Sequence, residues 1–320
     1  MKSFTPALVV LAAFVAACAY GQGYPAKPVR VVVGFTPGGG VDINARLLTP
    51  EFTKQFGHPF IVDNRPGAGT NIANEYVAKA PPDGYTLLMN TAALAINMSL
   101  YKKVNFDALK DFAPISVFSQ SPNILTIHPS LPVKTVKDLI ALAKSKPGAM
   151  NYSSAGSGTT QHLTGELFKL RTGTNVVHVP YKGSAPSLTA LLGGEVEMTF
   201  ANIPAISSHV KAKRLRALAN AGTKRAEQMP DVPTLKESGI NGVEVVVWYG
   251  VLAPAATPRE IVTTLAASIA KIAHAPEMRR RLLDQGAEPV GNSPEQFSKL
   301  MREEVTRWSE VVKVSGAKAD

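Results

Sequence analysis

The chain has 320 residues, which is enough for two domains that each bury a core of their own. Its composition, 45% hydrophobic and 18% charged, is that of a globular protein and excludes a chain that is disordered along its length. The formal net charge is +10, but acids and bases are interspersed, and the tight basic clusters at 211–216 and 279–281 are interpreted as solvated faces. We therefore expect no nucleic-acid partner.

The first residues have the pattern of an export signal. Lys2 precedes an apolar run at 7–17 that is too short to span a bilayer, and small residues follow it. We assign residues 1–23 to a secretory signal peptide and expect a periplasmic protein. No later stretch reaches 18 consecutive apolar residues, so no transmembrane helix is predicted.

The end of this signal has two interpretations, and both remain open. Cleavage after Ala19 or near Gly21 gives a free mature protein, whereas residues 15–18 also resemble a bacterial lipobox, in which Cys18 becomes a lipid-anchored first residue. Cys18 is the only cysteine in the sequence, so no disulfide is expected.

Residues 31–46 predict a strand, a tight turn and a helix. The three valines at 31–33 indicate a strand that is covered on both faces. Pro37 ends it, and the glycines at 38–40 allow positive φ angles and a close approach of the backbone to a ligand. Asp42 lies in the first turn of the helix, where the helix dipole favours negative charge. Such a junction is typical of an anion site or of a tight turn without a ligand.

Strands and helices alternate along most of the chain, which predicts parallel sheets covered by helices. Further strands are predicted at 60–64, 85–89, 112–118, 123–127, 150–153, 176–179, 197–201, 215–219 and 243–252. Capping patterns predict helix starts at Thr135, Thr257 and Ser293.

The fold class expected from this order is α/β, with two lobes and a ligand cleft between them. The first lobe comprises residues 24–122 plus 250–320, and the second comprises residues 123–249. Two strands cross between the lobes, near 119–126 and 243–252.

Four similar junctions follow a strand and precede a helix. They lie at 37–42, 66–70, 156–160 and 183–186. Each directs helix N–H groups to the carboxyl edge of its sheet, where open α/β sheets bind ligands. Two junctions fall in each lobe, so facing loops are expected to grip a carboxylate with backbone donors and hydroxyls. Small residues occur at such turns in α/β folds without ligands too, but this explains Ser157, Thr159 and Thr160 together less well than it explains single glycines.

Other chemistries fit the sequence less well. The junctions lack the spacing of a dinucleotide-binding or P-loop motif, and no nucleophile elbow is present. His162 and Glu166 are one helical turn apart but have no third metal ligand nearby, so we expect neither a metal nor a cofactor. Asp42 is interpreted as an acid that organises the site rather than as a catalytic carboxylate. Three residues that follow strand ends are expected in the cleft: Phe35, Tyr181 and Asn202.

A series of short motifs extends along the whole mature chain. They are 24–30 (YPAKPVR), 37–42 (PGGGVD), 63–69 (DNRPGAG), 82–88 (PDGYTLL), 152–158 (YSSAGSG), 179–183 (VPYKG) and 229–234 (MPDVPT). In this order they resemble the motifs of the Bug family, the tripartite tricarboxylate transporter receptors. The resemblance implies a periplasmic-binding-protein-like fold that closes on a small organic carboxylate and delivers it to a small and a large membrane subunit of a transporter.

The resemblance also implies where the ligand is held. One carboxylate is expected between the first strand–helix loop and the facing loop of the second lobe, bound largely by backbone groups and ordered waters. Carried onto this sequence, the residues are Gly38, Gly39, Gly40, Asp42, Ser157, Gly158, Thr159, Thr160 and His162. The remaining pocket selects the acid, and the motifs do not name it. We expect a monomer that is not an enzyme.

Two alternatives stay open. One is an exported hydrolase or lyase that uses Asp42 and His162. The other is a receptor that signals to a sensor kinase rather than serving a transporter.

Overall fold

The structure, a computed structural model, describes residues 23–319, so residues 1–22 of the expected signal peptide, Cys18 included, lie outside the described residues. The strands are β1 (Val29–Val33), β2 (Phe60–Asn64), β3 (Thr86–Asn90), β4 (Phe112–Ile127), β5 (Asn151–Ser154), β6 (Val177–Pro180), β7 (Met198–Asn202), β8 (Arg216–Asn220), β9 (Val246–Pro254) and β10 (Glu288–Pro289). Within 23–319, no helix has both the length and the apolar character needed to cross a membrane.

The helices cover the sheet and connect its strands. They are α1 (Gly40–Phe56), α2 (Asn71–Ala78), α3 (Ala93–Leu100), α4 (Val136–Ser145), α5 (Thr160–Thr172), α6 (Ser184–Gly193), α7 (Ile203–Lys211), α8 (Arg259–His274), α9 (Pro276–Asp284) and α10 (Pro294–Ser315). A short 3₁₀ turn, Ala68–Thr70, precedes α2.

The sheet has two parts that share one strand. In the first part β1 pairs in parallel with β2 and β3, and β9 lies antiparallel between β3 and β4. In the second part β5 is parallel to β6 and β7, while β4 is antiparallel to β7 and β8. The 16-residue strand β4 therefore pairs with β9 over its first part, with β7 over its last five residues and with β8 over its last four.

This long strand differs from the two strands predicted at 112–118 and 123–127. The polar residues between them interrupt the apolar pattern, but distant elements of the structure provide hydrogen-bond partners for them. Ser119 donates to the Asn44 side chain at 2.6 Å, and Ser121 donates to the carbonyl oxygen of Gly286 at 2.9 Å. Since buried hydroxyls with partners cost little, the strand continues through the polar segment.

The first strand is covered on both faces, as its three valines predict. Val32 packs in one hydrophobic cluster, and its neighbours Val31 and Val33 pack in another on the opposite side of the sheet. The two clusters follow from the alternation of side chains along a strand. Full burial of each valine stabilises the fold by roughly 2 kcal/mol. This packing fixes the position of the end of β1, where the first loop starts.

Two of the three predicted helix starts have the expected caps. Thr135 and Ser293 each form a capping box with the residue three positions later. Helix α8 differs, because it begins at Arg259 with Pro258 at the N-cap position and no side-chain cap. The Thr257 hydroxyl, predicted as that cap, is buried and has no hydrogen-bond partner among the described residues.

Candidate functional site

A cavity lies where the two parts of the sheet face each other. The cavity is narrow in this structure. Residues predicted for the site that line it are Phe35, Gly39, Gly40, Thr159, Thr160 and Asn202, and further lining residues are Val41, Thr91, Ala155, Gln161, Ser184 and Val247. None of these lining residues is charged. Their apolar members are mixed with hydroxyl, amide and backbone groups.

Five helices direct their N-termini to this cavity. Helix α1 contributes Gly40, and α5 contributes Thr160. Helix α6 contributes Ser184, α7 contributes its N-cap Asn202, and Thr91 lies just before α3. No side chain caps α1, α6 or α7, so their first-turn N–H groups are not occupied by a cap. These N-termini carry partial positive charge, which makes the cavity suited to an anion.

Asp42 supports the first loop, residues 38–42, through hydrogen bonds. This side chain is buried and accepts hydrogen bonds from the Gly38 N–H at 2.9 Å, from Asn64 Nδ2 at 2.9 Å and from Arg46 Nε at 3.0 Å. Burial opposes ionisation of Asp42, but the hydrogen bonds from Arg46, Gly38 and Asn64 outweigh it and hold the pKa of this carboxyl below its usual range. Asp42 is therefore a charged support of the loop and does not line the cavity.

Neutral groups support the second loop, residues 156–160. His162 is buried, and its Nδ1 accepts a hydrogen bond from the Gly158 N–H at 3.2 Å. Its ring stacks on that of His178, with ring centres 4.0 Å apart. Thr159 caps α5 by accepting from the His162 N–H, and its hydroxyl donates to the Gly156 carbonyl at 2.8 Å. His162 thus lies beneath the loop rather than in the cavity lining.

Gln161 connects this loop to the start of α6. Its Oε1 accepts from the Ala155 N–H at 2.8 Å, and its Nε2 donates to the Ser184 hydroxyl oxygen at 3.0 Å. Both bonds are buried. Because Ser184 accepts from Gln161, its own proton is available to a group in the cavity.

The two parts of the structure meet around the second loop. Tyr101 donates to the Ser157 carbonyl at 3.1 Å. A Cβ on Gly158 would overlap Asn97 Oδ1, and one on Gly69 would overlap the Ser157 carbonyl. These close approaches place the second loop directly against the first part of the sheet, so this loop forms one wall of the cavity.

Four other predicted residues lie near the cavity without lining it. Gly38 supplies the N–H that Asp42 accepts, and Ser157 supplies the carbonyl that Tyr101 contacts. Gly158 packs against Asn97. Tyr181 is partly buried against the hydrophobic cluster of α6 and α7. Among residues 23–319, no group of three or more His, Cys, Asp or Glu residues is arranged to hold a metal, and Glu166 accepts from Tyr152 and Lys169.

Comparison with known proteins gives consistent results. The profile of the family described as tripartite tricarboxylate transporter family receptor, TctC, matches residues 44–317. The protein BugT of Bordetella pertussis is 36% identical over 313 residues, which cover 97% of this chain and 96% of BugT.

Solved structures agree with this assignment. The R. palustris protein Rpa4515 with adipate is 39% identical, with a TM-score of 0.90 over 93% of this chain and 100% of that one. MatC from Rhodopseudomonas palustris with bound malate is 32% identical, with a TM-score of 0.87 over 90% and 100% of the two chains. The protein therefore belongs to the tripartite tricarboxylate transporter receptor family and has the fold of its Bug- and TctC-type periplasmic solute-binding proteins.

Proposed function

We propose that this protein is an extracytoplasmic receptor that captures a small organic carboxylate and delivers it to a tripartite tricarboxylate-type transporter. The observation that carries the proposal is the convergence of five helix N-termini on one cavity whose lining residues are uncharged. Each N-terminus contributes about 0.3–1 kcal/mol to an anion, and up to about 2 kcal/mol in partly buried geometry. Several together bind a carboxylate without an arginine.

The solved structures of relatives support a small organic carboxylate as the ligand. One was solved with adipate and another with malate, and both are small carboxylic acids.

The organisation of the chain belongs to the same proposal. Residues 1–23 act as the export signal, and residues 24–122 plus 250–320 and residues 123–249 form the two lobes. The passage of β4 from one part of the sheet to the other supports a division near residue 122. Strand β9 pairs only in the first part from Val246 onward, which favours a second boundary a few residues before 250. We propose that the protein works as a monomer, which light scattering of the purified protein tests by its mass.

Calorimetric titration of the purified protein with mono-, di- and tricarboxylic acids tests the binding. We expect at least one acid to bind with a Kd in the micromolar range or below, and NMR to show that it is unchanged after incubation. Failure of every acid to bind, or turnover of one, would overturn the proposal.

A pair of matched variants tests whether the ligand occupies the cavity described. Thr160→Val removes a hydroxyl from the lining, and we expect about tenfold weaker binding, which corresponds to about 1.4 kcal/mol. Thr189→Val is the control, because Thr189 is exposed on α6 and its hydroxyl bonds only to the Ala185 carbonyl. Equal effects of the two changes would contradict this location.

Delivery to the transporter needs a cellular experiment. Cells that carry the chain with its membrane subunits are expected to take up the labelled acid, and cells that lack the chain are not. Uptake that persists at the same rate without the chain would exclude delivery.

A further inference from the structure

One of the four strand–helix junctions, residues 66–70, does not line the cavity. Members of the other three junctions line it, but no residue of 66–70 does. This junction instead contacts the second loop. A Cβ on Gly69 would overlap the Ser157 carbonyl oxygen, and a Cβ on Gly156 would lie 3.9 Å from Gly69 Cα. Residues 66–70 therefore form a contact between the two parts of the structure and are not a wall of the ligand cavity.

The backbone of this junction has positive φ angles at four consecutive residues. They are +131° at Gly67, +47° at Ala68, +58° at Gly69 and +86° at Thr70. Glycine adopts such angles readily, whereas alanine and a β-branched threonine do so only at a cost in free energy. Within 23–319, Lys213 is the one other residue with a positive φ that is not glycine. The junction thus concentrates backbone strain at one place.

Thr70 is held in its strained conformation by the first part of the structure alone. Its side chain is buried, and a Cβ on Gly34 would lie 2.7 Å from the Thr70 Cβ. Its hydroxyl oxygen accepts from Asn74 Nδ2 at 3.1 Å and from Asn90 Nδ2 at 3.3 Å. Strain persists where surrounding groups determine the conformation in this way. None of these groups belongs to the second loop, so Thr70 does not depend on it.

Ala68 and Gly69 have a different kind of support. Ala68 is exposed, so its side chain contributes little packing. The Gly69 carbonyl accepts from Asn97 Nδ2 at 2.7 Å, and the remaining close contact of Gly69 is with the Ser157 carbonyl of the second loop and the Tyr101 hydroxyl that donates to it. The second loop therefore supplies part of the support for this turn.

Asn97 shows that the contact with the second loop has a cost. Its Nδ2 donates to the Gly69 carbonyl and to Asn71 Oδ1, both at 2.7 Å, which fixes the orientation of the amide. A Cβ on Gly158 would overlap the Asn97 Oδ1, and this buried oxygen has no hydrogen-bond partner among residues 23–319. A buried acceptor without a partner is unfavourable, and water reaches it if the second loop moves away.

We propose that Ala68 and Gly69 adopt the left-handed backbone only while the second loop is in contact with them, and that their strain favours separation of the two lobes when the cavity is empty. The inference rests on the proposed function, because the bound acid supplies the free energy that keeps the lobes together. Ala68 is then a positioning residue. It changes affinity through the position of the second loop, without contact with the ligand.

A series of side chains at position 68 tests the proposal. Ala68→Gly relieves the strain and Ala68→Val increases it, while the exposed position leaves the packing nearly unchanged. In calorimetric titration with the mono-, di- and tricarboxylic acids, we expect Ala68→Gly to bind about threefold more tightly than the wild type and Ala68→Val about threefold more weakly. Urea unfolding of the empty protein should show no gain in stability in Ala68→Gly. Equal affinities across the series, or a more stable empty Ala68→Gly, overturn the inference.

Lys213→Gly is the matched control. Lys213 is exposed and has a φ of +57°, but it lies just after α7, where its N–H donates to the Val210 carbonyl at 3.0 Å. Relief of strain at this position should raise the free energy of unfolding and leave affinity unchanged. A gain in affinity as large as that of Ala68→Gly would show that the effect does not depend on the second loop, and it overturns the inference.

A disulfide reporter tests the same inference without a ligand. A Cβ on Gly39 would lie 3.5 Å from the Ser184 Cβ, within the range of a disulfide, and Cys18 is the only cysteine in the sequence. In the double variant Gly39→Cys/Ser184→Cys, glutathione disulfide links the two positions when the lobes are together. Adding Ala68→Gly should speed this reaction about threefold, and adding Ala68→Val should slow it about threefold. Unchanged rates overturn this inference alone, whereas failure of every acid to bind overturns the proposed function.

Discussion

The loops at 38–42 and 156–160 have the same task and are held by different chemistry. Each joins a parallel strand to a helix and brings backbone N–H groups to the cavity. The first depends on an ionised carboxylate, Asp42, with a cation and an amide as partners. The second depends on an imidazole, a hydroxyl and a carboxamide, none of which carries a fixed charge.

The difference shows what such a loop requires. A strand–helix junction can present free N–H groups only if the groups behind it hold the turn in shape. A charged support forms stronger hydrogen bonds, but it responds to pH and costs more when one partner is removed. A neutral support has weaker bonds, and an amide or a hydroxyl does not titrate near neutrality. The Asp42 and Gln161 supports are therefore expected to respond differently to mutation and to acid.

The largest effect is expected from Gly158→Ala in the second loop. The added methyl overlaps Asn97 Oδ1 and lies 3.2 Å from Leu100 Cδ2, so the loop is pushed away from the first part of the sheet. Gly158 also has a φ of +86°, which disfavours alanine. We expect ligand affinity to fall by about 100-fold or more, about 2.7 kcal/mol, as measured by calorimetry.

Gly173→Ala is the matched control for this change. Gly173 ends the same helix with a φ of +62°, and no atom lies within 4 Å of the added methyl. It should lower the free energy of unfolding by about 1–2 kcal/mol and leave affinity unchanged. A similar loss of affinity in both variants would assign the effect to backbone strain instead of blocked closure.

Asp42→Asn tests the charged support. The new amide offers protons to Arg46 and Asn64, which are themselves donors, so hydrogen bonds to the buried position 42 are lost. We expect the free energy of unfolding to fall by about 1–3 kcal/mol and affinity to fall about tenfold, measured by urea unfolding and calorimetry. Asp83→Asn is the control, because Asp83 is exposed and its contact with Lys27 is long, at 3.7 Å. Equal destabilisation by both changes would refute a special role for Asp42.

Acid should weaken the support that Asp42 gives to the first loop. The pKa of Asp42 is lowered in the folded state, so the carboxylate stabilises the fold at pH values above its unfolded pKa of about 3.9. This contribution is lost as the pH falls through the lowered pKa. The stability difference between the wild type and Asp42→Asn should thus be constant near neutrality and shrink below about pH 4. Urea unfolding at a series of pH values measures it, and a difference that does not change with pH would contradict the assignment.

The smallest effect is expected from Gln161→Leu in the neutral support. The Ala155 N–H loses its acceptor and Ser184 loses its donor, so stability should fall by about 1–2 kcal/mol and affinity by about threefold. Because no charge is involved, the loss should be the same at pH 5 and pH 8. Gln55→Leu, which removes an exposed side-chain amide that accepts from the Ser268 hydroxyl far from the cavity, serves as the control. A loss of stability in Gln161→Leu that varies with pH would contradict the view that this support does not depend on charge.

Much of the fold was predictable because local signals agree with it. Runs of β-branched residues marked the buried strands, and capping boxes marked α4 and α10. Helix α3 was not predicted, since Ala93–Leu100 is buried on nearly every side and shows no polar stripe. The continuity of β4 was missed because its serines find partners more than 70 positions away in the sequence.

Residues of the candidate site could be predicted where they directly follow the end of a strand. This criterion indicated Phe35 and Asn202, and it would also have found Thr91, which directly follows β3. Gln161 and Ser184 lie in junctions that were recognised, but their mutual hydrogen bond depends on two loops that are separate in sequence. Val247 carries no signal of its own, because it is one apolar residue within an apolar strand.

Because no charged residue lines the cavity, the association rate and the residence time of a bound anion are expected to depend differently on ionic strength. The net charge of +10 attracts an anion from a distance, and salt screens this attraction over about 8 Å at physiological ionic strength. In the proposed function the bound anion is held by short contacts with helix ends and neutral groups, which salt screens less than the long-range attraction. Raising the ionic strength should therefore slow association and leave the residence time of the bound acid nearly constant.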